Sequence, residues 1–274
     1  MRAPAKSDES SVAKRFATQN PVSFALMTTV AFFILMSGAF ILGARMSDIP
    51  HGKDIGELIG KILVSIVFIL VLWRFHWLRG AGLTRLGNWK MWLILLIPLV
   101  YAVLSTTYAL TGSLELSFSD PGQYFWITAN MMGGGLAEEI VFRGLIFFCL
   151  LTAWERKTNA SLLSGIISAA IFGYSHLVWV LLGKEFSLGF LQSTAAFLSG
   201  LFYAGVWIQT RSLWPPVVIH GLTNALAYIK ISEMPDFSET ITGGIMDIAL
   251  GLPLAIYGLF FLWKHSKRGA LSLS

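Results

Sequence analysis

Eight apolar stretches separated by short polar connections dictate what this chain can become. They run over 22–44, 58–77, 91–110, 122–154, 159–182, 186–209, 212–229 and 241–263. Each reaches or approaches the roughly 20 residues that a helix needs to cross hydrocarbon. A backbone surrounded by lipid must satisfy its own hydrogen bonds, so helix is the default, and no alternating barrel pattern is visible. Only 13% of the residues are charged and 55% are hydrophobic, whereas a soluble domain carries about a quarter charged residues. The expectation is an all-α, polytopic membrane protein of about eight transmembrane helices with a polar site buried in the bundle. A disordered tail, a secreted disulfide scaffold and an ordinary cytosolic enzyme are excluded. The single cysteine, Cys149, lies inside an apolar run and reads as packing.

The connections are too short for a second module. The division expected is a polar cytoplasmic tail over 1–20, mobile in character, one membrane domain over 21–265, and a short tail over 266–274. The first apolar run is too long for the core of a cleaved signal and is expected to be retained. With the N-terminus inside, fourteen Lys and Arg fall on the inner side. Five fall outside: Arg45, Lys53, Lys61, Lys184 and Lys230. That asymmetry places both termini in the cytoplasm of a multi-pass cell-membrane protein. The basic residues form no dense stripe among aromatics, so the net charge of +5 is topology information and not a nucleic-acid footprint. Trp179, Trp207 and Trp214 read as interfacial anchors.

The residues that a bilayer should exclude say most about function. Glu138, Glu139 and Arg143 sit in the fourth run, within Gly133-Gly-Gly-Leu-Ala-Glu-Glu-Ile-Val-Phe-Arg143. Facing lipid, the three together would cost on the order of 8–10 kcal/mol, so they must face protein or a water-filled cavity. Glu139 and Arg143 are four apart and can pair on one helical face. Glu138 lies 100° around the helix and is left free, and a carboxylate kept from bulk water suits a general base or acid. His176 in the fifth run, and His220 with Asn224 in the seventh, add imidazole and amide groups to two more helices. Four residues separate Asn224 from His220, so they share a face. Burying these groups separately would exact three separate penalties; one shared polar site exacts one. Two histidines and a carboxylate with an open fourth position form a ligand set suited to catalytic zinc, although the one-helix His-Glu-x-x-His signature is absent.

At these motifs the chain resembles the CPBP family of intramembrane proteases, also called the CAAX protease and bacteriocin-processing or Abi family. The family shares Glu-Glu-x-x-x-Arg, Phe-x-x-x-His and His-x-x-x-Asn/Asp motifs on successive membrane helices. Here they read Glu138-Glu139-Ile-Val-Phe-Arg143, Phe172-Gly-Tyr-Ser-His176 and His220-Gly-Leu-Thr-Asn224. The resemblance covers 122–229. It implies an endopeptidase, of glutamic or metalloprotease type, acting on a membrane-associated protein or peptide. The substrate could be a lipid-modified CAAX-type prenyl-protein or a leader or sorting tail. By analogy Glu138 activates water, while His176 and His220 polarise the scissile carbonyl or, with Glu138, hold zinc. Asn224 stabilises the oxyanion, and Glu139, Arg143 and Phe172 support the site.

Two other readings start from the same residues. In a non-catalytic membrane partner, such as an immunity protein, the polar cluster is helix glue. In a proton-coupled transporter it is a proton relay, a reading weakened by the lack of an internal repeat. The depth of the site is also open. If the fourth helix starts at Gly133–Gly135, Glu138 lies near the outer end of its span; if it starts near Gln123, Glu138 lies at mid-depth. Asp247, alone in the eighth run, has no assignment.

Overall fold

A computed structural model describes residues 9–88, 92–93, 95–96, 99–100, 103, 120–233 and 240–267. Among them all regular structure is helical. The elements are α1 (Glu9–Gln19), α2 (Pro21–Arg45), α3 (Gly52–Arg74), α4 (Pro121–Glu139), a π-helical stretch (Ile140–Phe147), α5 (Phe148–Ala153), α6 (Ala160–Ser175), α7 (Val178–Leu181), α8 (Phe186–Thr210), α9 (Trp214–Glu233) and α10 (Ile241–Lys267). Most follow the apolar runs within a few residues. The third run, 91–110, lies almost wholly outside the described residues, as do 1–8 and 268–274 of the two tails.

Five helical segments are long and apolar enough to cross a membrane: α2, α3, α8, α10 and Ala160–Leu181. Their outer faces expose Met27, Val30 and Ile34 on α2, Leu63 and Leu70 on α3, and Ile245, Ile256 and Phe260 on α10. An apolar surface of that extent belongs against lipid. The segments that carry the glutamates and His220, α4 and α9, are not among the five. They hold the polar residues, and they pack against each other and against α3 and α8.

The start of α4 fixes where Glu138 sits along its helix. Asp120 caps the helix, its Oδ1 accepting from the backbone N–H of Gly122 at 3.0 Å and of Gln123 at 3.3 Å, with Pro121 in the first turn. Cap and proline together are a strong start signal. Glu138 therefore lies near the middle of the continuous helical stretch 121–153, and Gly133–Gly135 are interior to it. Those glycines serve packing. A Cβ on Gly135 would lie 2.7 Å from Gly221 N, and one on Gly221 would lie 2.9 Å from Met132 Cα, so α4 and α9 touch backbone to backbone.

Three expectations need correction. The polar N-terminal segment is helical over 9–19 and docked: Ala17 is fully buried and its carbonyl meets Cys149 Sγ at 3.2 Å. Lys61 is no outer-loop cation, because it is buried inside α3. Its Nζ donates to Glu57 Oε2 at 3.1 Å and to Asn130 Oδ1 at 2.6 Å. Trp207 is fully buried, its indole N–H donating to the Ala81 carbonyl, and so is not an interfacial anchor.

Candidate active site

The two adjacent glutamates do different things. Glu139 is fully buried, and its Oε1 accepts from Arg143 Nη1 at 2.9 Å, the i,i+4 pair that helical spacing suggests. The same oxygen accepts from His220 Nδ1 at 2.8 Å. One carboxylate thus holds a guanidinium from its own helix and an imidazole from α9. Arg143 is further held by ring faces, its Cζ lying 4.4 Å from the Phe172 centroid and 5.2 Å from that of Tyr203. Gly200 on α8 leaves it room, since a Cβ there would come within 3.2 Å of Nη2.

Glu138 faces the other side of His220, with its Oε2 3.6 Å from Nε2. That oxygen is buried and has no hydrogen-bond partner among the described residues. Buried polar atoms are almost always satisfied, and this cluster leaves four without a partner among the described residues: Glu138 Oε2, Glu139 Oε2, Arg143 Nε and Arg143 Nη2. Because Glu139 fixes Nδ1 as a donor, Nε2 is the nitrogen that His220 presents to Glu138. The ring is held flat by Tyr203, stacked at 5.1 Å and 26°.

His176 closes α6, where the fifth apolar run breaks before α7. Its Nδ1 donates to the Phe172 carbonyl at 2.9 Å, which leaves Nε2 as the outward nitrogen. Phe172 meets both imidazoles edge-on, His176 at 5.0 Å and His220 at 5.7 Å, and so links the second motif to the third. Asn224 lies one turn beyond His220 on α9, half-buried, with no hydrogen bond among the described residues. Among those residues no three His, Cys, Asp or Glu side chains gather closely enough to hold a metal ion. The expected zinc set of Glu138, His176 and His220 is not assembled in this geometry.

Tyr203 was missed by sequence reasoning because a tyrosine in an apolar run carries no signature of its partner. Ser168 was missed likewise; its hydroxyl donates to the Phe142 carbonyl at 3.0 Å and ties α6 to the π-helical stretch. That stretch begins directly after Glu139. Wide i→i+5 turns recur at functional sites, and this one follows the two carboxylates.

Residues 120–226 match the family model described as Type II CAAX prenyl endopeptidase Rce1-like. No curated protein and no solved structure matched the chain. The matched segment begins at the α4 cap and spans all three motifs. The match over residues 120–226 supports a CAAX protease-type domain in that part of the chain.

Proposed function

We propose that the protein is an intramembrane endopeptidase that hydrolyses a peptide bond of a membrane-associated substrate, with Glu138 as the general base. The observation that carries this reading is the buried, unpartnered Oε2 of Glu138 facing His220 Nε2. Glu138 takes a proton from water as the water oxygen bonds to the scissile carbonyl carbon, and the carbonyl electron pair moves onto its oxygen. The Asn224 amide donates to that oxyanion, and His220, four residues away on the same face of α9, and His176 on α6 line the place it occupies. Glu138 then returns the proton to the leaving amine as the carbon–nitrogen bond breaks. Glu139 and Arg143 act at one remove by holding the His220 ring.

These steps run through side chains alone. The family points to a CAAX-type prenylated C-terminal peptide as substrate, with a hydrophobic leader or sorting tail as the second class. The helix-glue reading accounts for the bonds that join Glu139 to Arg143 and His220, and it gives Glu138 no bond to make.

The test is cleavage of fluorogenic prenylated C-terminal peptides and leader peptides by purified protein in detergent. Wild type is expected to cleave one class. Glu138→Gln and His220→Ala are each expected to lose at least a hundredfold in kcat/KM, the usual scale for a general base or an oxyanion donor. Chelation is expected to leave the rate unchanged; loss restored by zinc would transfer the water to a metal. Retained cleavage in Glu138→Gln would overturn the assignment.

A further inference from the structure

A second feature lies where α8 ends and α9 begins. There the chain after α3 is pinned by its own backbone carbonyls. Trp207 Nε1 donates to Ala81 O at 2.9 Å, Leu213 N to Gly82 O at 3.0 Å, Trp214 Nε1 to Leu83 O at 2.9 Å, and the Ser212 hydroxyl to Arg85 O. Gly82 makes the turn with φ 85°, and a Cβ there would lie 3.0 Å from the Arg211 carbonyl. Two arginines stand on this platform, Arg85 on the pinned segment and Arg211 at the left-handed cap of α8.

Arg211 Nη2 meets His265 Nε2 at 2.9 Å. A guanidinium can only donate, so that nitrogen accepts and His265 Nδ1 donates to the Ser161 hydroxyl. His265 thus accepts from Arg211 and brings no negative charge to it. Both arginines are half-buried. Burial, and then the neighbouring charge of Arg85, push the Arg211 guanidinium down from its usual range. Among the described residues neither arginine has a carboxylate within ion-pair distance. The last turn of α10 adds Lys264 and Lys267 around His265. The segments that carry Arg85 and Arg211 are bonded to each other through Ser212, and partly buried cations that feel each other's charge are favoured by an anion between them. A pair of guanidinium forks suits the oxygens of a phosphate ester. The position supplies the depth: α8 and α10 both end here, and Trp263, exposed on α10, lies just before Lys264. That is the level of lipid headgroups, where basic pockets between helices collect phosphates.

We propose that Arg85 and Arg211 form a binding site for a phosphate-ester anion at this end of the bundle, filled by the headgroup of an anionic phospholipid. The site stands apart from the glutamates and is independent of the hydrolytic reading. Its occupant joins the segment after α3 to the α8 cap and, through His265, to α10.

The test uses delipidated protein in neutral detergent, titrated with phosphatidylglycerol, phosphatidylcholine or inorganic phosphate and followed by native mass spectrometry and thermal unfolding. Phosphatidylglycerol is expected to bind and raise the Tm, phosphatidylcholine to do neither. The Arg85→Gln/Arg211→Gln variant is expected to bind phosphatidylglycerol at least tenfold more weakly, and Arg156→Gln/Lys157→Gln to bind as wild type. An equal response to inorganic phosphate, lost in the arginine variant, would keep the anion site and overturn the lipid as its source. Wild type showing no preference for phosphatidylglycerol over phosphatidylcholine and no response to phosphate would overturn the site, whatever the variants do. So would a folded arginine variant that binds as tightly as wild type.

Discussion

Neighbouring glutamates with opposite surroundings allow catalysis and support to be separated by stability. Glu139 is fully buried and holds Arg143 and His220 through one oxygen, whereas Glu138 Oε2 makes no hydrogen bond among the described residues. Glu139→Gln removes the charge that balances buried Arg143, and breaking a buried pair from one side costs about 3–5 kcal/mol. Thermal unfolding is expected to show a large loss for Glu139→Gln and little change for Glu138→Gln, with activity lost in both. At this scale the sequence exposed which residues are out of place in lipid and could not say what they meet. The i,i+4 pairing of Glu139 with Arg143 is local and follows from helical spacing. The bond from Glu139 to His220 joins residues 81 apart in sequence, and no periodicity encodes it. Glu138 stays outside the Glu139–Arg143 pair, as helical spacing suggests, and its place 3.6 Å from an imidazole nitrogen is again a tertiary fact that spacing does not encode.

Helices α4 and α9 come close enough at Gly135 and Gly221 for backbone to meet backbone, and their approach fixes the distance from Glu138 to His220. Gly221→Ala would drive a methyl to 2.9 Å from Met132 Cα, so the two backbones must separate. Overpacking of that kind costs about 1–3 kcal/mol. Under the proposed mechanism cleavage is expected to fall at least tenfold, because Glu138 and His220 stand on the two separated helices. Gly38→Ala on α2, which meets nothing within 4 Å, is expected to leave both stability and turnover unchanged. Element positions were legible because lipid-facing helices announce themselves by length and hydropathy. Their interruptions were not. The π-helical stretch 140–147 has the same apolar composition as an α-helix, since the change lies in the backbone ladder alone. The break at His176 sits inside an unbroken apolar run. The docking of α1 depends on a tertiary contact, Ala17 against Cys149, in a segment whose polarity suggested solvent.

Across the whole molecule, cations segregate by end. Arg74, Arg156, Lys157, Arg211, Lys264 and Lys267 lie at or beyond the ends of α3, α5, α8 and α10, and the Ser161–His265 contact shows that the start of α6 joins the same end. Arg45 and Lys53 lie at the α2–α3 turn, which His51 joins to the start of α4 through Asp120. Lys157→Cys and Lys267→Cys, in a Cys149→Ser background, are expected to react with an impermeant maleimide from one side of sealed vesicles. Lys53→Cys is expected to react from the other side. Labelling of all three from one side would break the helix order described here.

The ladder from Arg143 through Glu139 to His220 also bears on how such a chain is made. Its helix carries two carboxylates and a guanidinium and is not among the segments apolar enough to enter lipid by their own composition. The imidazole that completes the ladder emerges from the ribosome about eighty residues later. Until then the Glu139 carboxylate lacks its histidine, so exposure of α4 to lipid is most costly before α9 has been made.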